Sequence, residues 1–323
     1  MYSEKCHTDR RNRGHHVTLL KSLGCLAEGG IMIDAATAEP AAVLTAWRYE
    51  AARISAAAVV VTLYGDVVAP RGGELWTGNI IETLAMAGIT ETRVRTALSR
   101  LVAAGQLEGA KVGRRSYYRL TPAAEREFAL AARLIYAPVE PPPQRGWHLV
   151  LLPDGERETH APALARARFG FALPQLAVLP DRGEPLPPLP GTHFRATTAD
   201  DFALARAWQL DALAERTRRF IDFFAGLEAR AATPDQALGL RLALTHAFRE
   251  IALRDPHLPP GLLPADWPGS AARRLFVELY LALSPATEEI ISTRFKDRVG
   301  PLRPNRERLD RRIRDLKGEP LTE

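Results

Sequence analysis

The amino-acid sequence predicts an α+β multidomain protein that is mostly helical. Apolar residues recur at helical spacing over several long segments, while runs of strand-forming residues are short and confined to two regions. The chain has 323 residues, 46% of them hydrophobic, which is enough for two or three domains that each bury a core. Its longest apolar run, ISAAAVVVTLY from Ile54, is too short to cross a bilayer, and no secretory signal pattern precedes it. We therefore expect a cytoplasmic protein with no membrane partner.

The clearest predicted helix begins after Thr90, in TETRVRTALSRLVAAG. Its apolar residues fall on one stripe, at Val94, Ala97, Leu98, Leu101 and Val102. Beyond Glu91, the opposite arc carries only small hydroxyl groups and long cations, at Thr92, Arg93, Arg95, Thr96, Ser99 and Arg100. A solvated helix face usually mixes both signs of charge, so this face predicts contact with an anion. Arginine bonds guanine edges and phosphates, which makes DNA the favoured anion.

The elements around this helix predict an N-terminal winged helix-turn-helix at residues 47–140. Upstream, ISAAAVVVTLYG has the length of a helix, GGELW that of a short strand, and TGNIIETLAMAG the pattern of a helix. The tight turn AGIT joins that last helix to the cationic one. Downstream, LEGAKV and SYYRL predict a hairpin. The order helix, strand, helix, helix, strand, strand is typical of a winged helix.

The hairpin would be the wing, beside the DNA backbone. Its candidate contacts are Lys111, Arg114, Arg115, Ser116 and Tyr117. Strand alternation sends one of the two adjacent tyrosines into the core, and we expect Tyr117 to face outward. The stretch from Glu91 to Arg133 has five positive charges in excess, which equals the net charge of +5 of the whole chain. A solvated hairpin with ordinary surface arginines is the alternative, which the preceding cationic helix disfavours.

Two further domains are predicted beyond the proline-rich linker APVEPPPQRG. A small α/β middle domain at residues 141–198 begins with WHLVLLPDG and includes the strand candidates LAVLP and THFRATT. Three amphipathic segments then form a helical C-terminal domain at residues 199–293. We expect residues 1–46 to be a flexible leader. Residues 294–323 are basic, contain prolines and hold few apolar residues, so we expect a disordered tail.

Four stretches of the chain resemble the PaaX family, repressors of bacterial phenylacetate-degradation operons. They are TLYGDVVAPRGGELWTG, ITETRVRTALSRLVAAGQL, VGRRSYYRLT and HAFREIALRDPHLPPGLLPADWPG. The resemblance implies a winged-helix DNA-binding domain, a ferredoxin-like middle domain similar to Cas2 proteins, and a helical C-terminal domain. It also implies a homodimer that leaves its double-stranded operator on binding phenylacetyl-CoA. The middle segment is short here and matches the family only loosely.

An aryl-acyl-CoA effector needs cations for its phosphates and an apolar slot for its acyl group. The C-terminal domain supplies candidates for both roles, at Trp208, Arg218, Arg219, Arg249, Arg254 and Trp267. The proline-rich segment that holds Trp267 is equally well explained as a rigid connection between two helices.

No cofactor, metal or catalytic site is predicted, and we expect the chain not to be an enzyme. The cysteines and histidines of the leader match no zinc-ligand spacing. Asp154 follows the first strand of the middle domain, where Cas2-type nucleases hold a metal-binding aspartate, but LPDG is ordinary turn chemistry. The alternatives are a metal-dependent nuclease that uses Asp154, an acyl-CoA hydrolase, and a DNA-binding protein without an effector.

Overall fold

A computed structural model describes residues 38–140, 142–197 and 205–319, together with the backbone of residues 25–26 and 30–31. Its helices are α1 (Pro40–Ala51), α2 (Ala56–Leu63), α3 (Thr77–Ala85), α4 (Glu91–Ala103), α5 (Pro122–Ile135), α6 (Arg157–Arg166), α7 (Leu210–Phe224), α8 (Pro234–Ala252), α9 (Gly269–Arg294) and α10 (Arg306–Lys317). Its strands are β1 (Cys25–Leu26), β2 (Gly30–Ile31), β3 (Glu74–Trp76), β4 (Leu107–Val112), β5 (Arg115–Leu120), β6 (Gly146–Leu151), β7 (Gly170–Leu173), β8 (Leu176–Asp181) and β9 (Thr192–Ala196). The mixed, mostly helical class is confirmed. None of these helices is both long and apolar enough to span a membrane.

The elements from α2 to β5 follow the order that the sequence predicts. The apolar stripe of α4 is buried through Val94, Ala97, Leu98 and Leu101. Strands β4 and β5 form an antiparallel hairpin, and β3 pairs with the other side of β5 to give the strand order β3-β5-β4. In this register Trp76 lies opposite Tyr117, and Val112 lies opposite Arg115 at the hairpin tip. Trp76, the last residue of β3, is therefore the residue of that strand nearest to the hairpin tip.

The middle unit is a four-stranded antiparallel sheet in the order β7-β8-β6-β9. A small core under α6 contains Val150, Leu164 and Phe169. Strand β7 was not among the strand candidates, because its four residues alternate too briefly to be recognised. The ten residues that connect β8 to β9, at 182–191, contain no helix.

One hydrophobic core joins the two segments that were predicted as separate N-terminal and C-terminal domains. Buried side chains of α1, α2, α4, α8 and α9 belong to the same cluster, among them Val43, Val60, Leu98, Leu244 and Phe276. Helix α1 begins at Pro40, so the flexible leader predicted at 1–46 is wrong for its last residues. Its cysteines and histidines up to residue 24 lie outside the described residues.

The basic tail is ordered as far as residue 319, which corrects the prediction of disorder for 294–323. Asn305 caps α10 by accepting a hydrogen bond from the Arg308 amide at 3.1 Å. Leu316 is 1% exposed, and the Arg312 side chain enters the core. Composition did not reveal this order because α10 is fixed by a buried cation as well as by apolar residues. Residues 320–323 lie outside the described part.

The Arg312 side chain ends at Asp66, which is 1% exposed in a π-helical turn after α2. The Asp66 carboxylate accepts hydrogen bonds from Arg241 Nε at 2.9 Å and from Arg312 Nη1 at 3.2 Å. The hydroxyls of Tyr136 and Tyr280 donate to the same carboxylate at 2.9 and 2.8 Å. Burial alone would raise the pKa of Asp66, but the two guanidinium groups outweigh burial and lower it. Asp66 is therefore a buried anion with charged and neutral donors from α8, α9, α10 and Tyr136, the residue that follows α5.

A second polar contact joins α2 to α8. The Thr62 hydroxyl and His246 Nδ1 lie 2.9 Å apart, and Arg249 Nη1 donates to the same hydroxyl at 3.0 Å. Burial, assisted by the charge of Arg249, lowers the pKa of His246 to about 4. His246 is thus neutral in the folded protein at neutral pH.

Replacing Asp66 should destabilise the fold severely. Asp66→Asn keeps the side-chain shape but leaves the buried Arg312 without an anion and Arg241 with only its ion pair to Glu288 at 3.2 Å. This loss costs about 3 kcal/mol or more. Urea denaturation should show this loss relative to the wild type. Asp222→Asn, at an exposed position of α7, is the matched control and should change stability by less than about 0.5 kcal/mol. A loss for Asp66→Asn as small as that of the control would contradict the role of the cluster.

Stability should fall as the pH drops from about 6.5 toward about 4, because His246 takes up a proton in the unfolded chain before it does so in the folded one. The free energy of unfolding should decrease by about 2 kcal/mol from pH 7 to pH 5 through this residue alone. Denaturation at several pH values should show a correspondingly flatter dependence for His246→Gln than for the wild type. His160→Gln, on the surface helix α6, should retain the wild-type slope; equal slopes in all three proteins would refute the assignment.

Candidate nucleic-acid interface and ligand cleft

The outer face of α4 is exposed at five of the six predicted contact positions. They are Thr92, Arg95, Thr96, Ser99 and Arg100. Arg95 pairs with Glu91 one turn earlier at 2.7 Å, an exposed contact that contributes little to stability and exchanges readily for a phosphate. In the described part of the chain, the Arg100 guanidinium has no hydrogen-bond or ion-pair partner.

Arg93 has a different place from its neighbours. It is half-buried, and its Nη2 donates to the Ile54 carbonyl at 2.9 Å. The side chain therefore fastens α4 to the residues before α2 and is not presented to solvent with Arg95 and Arg100. Sequence periodicity placed Arg93 beside the apolar stripe but did not reveal this partner.

The hairpin presents Lys111, Arg114 and Arg115 to solvent around Gly113. Gly113 has a φ of 58°, which favours glycine at this tip. The Arg115 guanidinium lies 5.2 Å from the centre of the Trp76 ring, so β3 supports the tip from the side. Ser116 is half-buried, and its carbonyl accepts a hydrogen bond from the Thr77 hydroxyl at 2.7 Å.

The expectation that Tyr117 faces a partner is wrong. Tyr118 packs against the main core, and alternation places Tyr117 on the opposite face of the hairpin. Tyr117 is nevertheless only 5% exposed. Its cross-strand neighbours are Trp76 and Ala110. The exposed cations of the hairpin remain as its DNA-contacting candidates.

A cleft of about 310 Å³ lies where the linker, the middle unit and the C-terminal helices meet. Its apolar wall includes Val139, Phe248, Ile251, Leu258, Leu263 and Trp267. Its cations are Arg133, Arg182 and Arg273, and its acids are Glu184 and Asp255. An apolar wall with a few converging charges is typical of a small-molecule site.

Arg273 is buried against backbone carbonyl groups. Its guanidinium donates to the carbonyls of Leu134 at 3.0 Å and Ile135 at 2.8 Å, and lies 4.7 Å from the centre of the Phe248 ring. Burial lowers the pKa of Arg273 to about 10, against the opposing effect of Asp255. Within the described residues no carboxylate forms an ion pair with this cation. The cleft thus has a guanidinium whose charge is not neutralised by a direct contact.

Arg182 and His257 form the side of the cleft next to the middle unit. Arg182 Nε donates to the His257 carbonyl at 2.8 Å, and Arg182 Nη1 donates to the Pro142 carbonyl. His257 has a φ of 52°, a conformation that the hydrogen bond from its amide to Asp255 at 2.8 Å supports. Burial lowers the pKa of His257 to about 4. At neutral pH, the cations of this wall are therefore its arginines.

The structure brings one of the six predicted effector residues, Trp267, into this cleft. Trp208 lies in an adjacent small core, where its Nε1 donates to the Arg168 carbonyl at 2.9 Å. The other four are arginines paired elsewhere: Arg218 with Asp266, Arg219 with Glu215 at 4.0 Å, Arg254 with Glu250 at 2.6 Å, and Arg249 with Thr62 at 3.0 Å. Sequence reasoning selected cations on helices near the right segment but could not detect their partners.

The residues that sequence reasoning missed are Arg133, Arg182, Arg273 and Phe248. They come from four separate segments, and no local pattern connects them. The proline-rich loop after α8 was the available signal, because it builds part of the cleft wall.

Asp154 lies in the exposed turn after β6. Its carboxylate accepts a hydrogen bond from the Gln175 amide. Among the described residues, no group of three or more His, Cys, Asp or Glu side chains is arranged to hold a metal ion.

Comparison with known proteins adds three findings. Residues 55–124 match a family model described as PaaX-like protein, and residues 208–293 match one described as PaaX-like protein C-terminal domain. The chain is 32% identical over 276 residues to the transcriptional repressor PaaX of Escherichia coli (strain K12), covering 77% of this chain and 87% of that protein. An uncharacterized protein, Rv0674 from Mycobacterium tuberculosis, has a solved structure that is 22% identical, with a TM-score of 0.44 over 73% of this chain and 98% of that one.

Proposed function

Because the chain belongs to the PaaX family, we propose that it is a transcriptional repressor that binds double-stranded operator DNA through α4 and the β4–β5 hairpin. The exposed cationic face of α4 beside the basic hairpin is the observation that carries this proposal. We further propose that an aryl-acyl-CoA, phenylacetyl-CoA in the first instance, releases the protein from an operator of phenylacetate catabolism.

In the proposed complex the segment from α2 to β5 acts as a winged helix. The outer face of α4 enters the major groove, where Arg95 and Arg100 bond base edges and phosphates. The hairpin tip lies along the neighbouring backbone, with Lys111 and Arg114 beside phosphates. Arg93 acts indirectly by holding α4 in place through Ile54. A homodimer would present two such helices to two half-sites.

The middle unit is proposed to be a ferredoxin-like, Cas2-related domain that has lost a helix. Its antiparallel order β7-β8-β6-β9 and the position of α6 between β6 and β7 support this assignment. The connection at 182–191 stands where a second helix is expected, and instead it contributes Arg182 and Glu184 to the cleft. The proposed role of this domain is to form a wall of the effector site, with no catalytic step.

The effector is proposed to bind in the cleft that Arg273 and Trp267 line. Phe248, Leu258 and Trp267 suit an aryl-acyl group, and Arg133 at the rim suits a phosphate of the coenzyme. The cleft also touches the end of α5, whose carbonyls bind Arg273. Since α5 follows the hairpin directly, a ligand that favours one position of α5 shifts the population of DNA-binding conformations.

A gel shift on the DNA upstream of the protein's own gene tests the proposal. The protein should retard this DNA, and phenylacetyl-CoA should reverse the shift while free coenzyme A should not. Absence of any shift on the upstream DNA and on unrelated duplexes would reject the DNA-binding role. A shift that persists with every acyl-CoA would reject the effector and leave a DNA-binding protein without one.

The double variant Arg114→Ala, Arg115→Ala should weaken binding to all DNA sequences, because the hairpin contacts phosphates. A titration between about 50 and about 200 mM salt should show the slope of log affinity against log salt concentration falling by about 2. The exposed pair Arg216→Ala, Arg219→Ala on α7 removes two charges away from the hairpin and is the control. Equal slopes for the hairpin variant and the wild type would show that the hairpin does not touch DNA.

Arg133→Ala should weaken the effector response without changing DNA affinity in its absence. Removing one charge-assisted contact to phosphate should raise the phenylacetyl-CoA concentration needed for release about tenfold. Arg126→Ala, at another exposed position of α5 outside the cleft, is the matched control. The same release curve for both variants and the wild type would place the effector elsewhere.

A further inference from the structure

We propose that the turn at residues 296–301, here called the C-terminal turn, contacts the DNA backbone beside the β4–β5 hairpin. The inference rests on the proposed DNA-binding function and adds a contact from a segment outside the α2–β5 unit. Lys296 is the residue that would meet a phosphate. The sequence predicted disorder for this segment, so its place in the fold is informative.

The C-terminal turn lies on the free edge of the hairpin sheet. The Trp76 amide donates to the Lys296 carbonyl at 2.9 Å, which places Lys296 beside the last residue of β3. Trp76 is also the residue whose ring lies under Arg115. Lys296 and the hairpin tip therefore lie at the same end of the sheet.

Hydrogen bonds to Asn79 and Glu74 hold the C-terminal turn in this position. The Lys296 amide donates to Asn79 Oδ1 at 3.0 Å, and Asn79 Nδ2 donates to the Arg294 carbonyl at 3.1 Å. The Arg298 guanidinium bonds both oxygens of Glu74 at 2.6 to 3.0 Å. Within the turn, Asp297 Oδ1 accepts hydrogen bonds from the amides of residues 299 and 300 at 2.7 and 2.8 Å. The turn is thus a rigid extension of the sheet.

The charges of the C-terminal turn leave Lys296 as its available cation. Arg298 and Glu74 neutralise each other, and backbone amides satisfy the Asp297 carboxylate. Lys296 is exposed, and in the described part of the chain no carboxylate forms an ion pair with its ammonium group. Lys296, Arg114 and Arg115 lie at the same end of the sheet but on different strands or turns, so together they suit an extended polyanion better than a small acidic patch on a peptide.

The spacing of these cations fits a DNA backbone. Neighbouring strands lie about 5 Å apart, so Lys296 lies about 15 Å from the outer strand β4 across the sheet. A single DNA strand carries a phosphate every 3.4 Å or so along the helix axis, so one duplex can meet both edges of the sheet. Val299, in the same turn, is 91% exposed, so the turn is open to solvent.

A salt titration of DNA binding tests this contact on the full chain. Lys296→Ala should weaken binding to a duplex of unrelated sequence severalfold and reduce the slope against log salt concentration by about 0.9, the value for one phosphate. Lys317→Ala removes the same charge from the same C-terminal segment, but near the linker, where Gly318 approaches Pro138. This control should bind as the wild type does. Lys296→Arg should retain the wild-type affinity and slope, whereas Lys296→Gln should show the same decreases as Lys296→Ala.

The outcomes separate this inference from the proposed function. If the wild type binds no DNA, both are wrong. If the wild type binds and the Arg114→Ala, Arg115→Ala variant loses affinity while Lys296→Ala does not, the C-terminal turn is not a contact and the hairpin assignment stands. Equal losses for Lys296→Ala and Lys317→Ala would show a general charge effect and would also overturn the inference.

Discussion

The buried carboxylate of Asp66 is the interaction on which the arrangement of the helices depends. An ionised carboxylate cannot remain in a hydrophobic core unless donors surround it. Here Arg241, Tyr280 and Arg312 supply donors from three helices, and Tyr136 supplies one from the end of a fourth. Displacing any one of these segments would remove a donor from the buried carboxylate, so the position of each is constrained by the other three. This constraint is why the N-terminal and C-terminal segments share one core and why the basic tail folds back upon it.

Helix α5 links the Asp66 cluster to both surfaces with a proposed function. At its start, the Thr121 hydroxyl caps the helix and donates to the Gly105 carbonyl, which ties it to the base of the hairpin. At its end, Tyr136 reaches Asp66, and Arg273 binds the carbonyl groups of Leu134 and Ile135. The helix is therefore fixed at one end by the hairpin and at the other by a wall of the cleft. A ligand that competes for Arg273 acts on the same rigid element that positions the hairpin.

The local sequence pattern predicted the helices and strands from α2 to β5. The features that this pattern missed depend on contacts between residues far apart in the sequence. The apolar stripe of α4 and the glycine at the hairpin tip can each be recognised within a short stretch of sequence, so their prediction succeeded. The order of α10 depends on Arg312 meeting Asp66, 246 residues away along the chain, which no composition argument detects. A usable signal existed, since Asp66 in LYGDVV and Arg241 in GLRLAL are single charges within apolar runs. For the cleft, the proline-rich loop after α8 was the one local signal, because the other walls come from segments that are distant in sequence.

Whether an arginine stabilises the fold or can bind an external anion depends on its partners more than on its position in the sequence. Arg93 and Arg95 are two residues apart, yet the first bonds the Ile54 carbonyl and the second only an exposed glutamate. Arg241 is committed to a buried anion, while Arg273 has carbonyl partners that leave its charge uncompensated. A net charge of +5 therefore understates the cationic character of the exposed face of α4, the hairpin and the C-terminal turn. Since paired arginines contribute little to the external field, the few that lack a carboxylate decide where an anion binds.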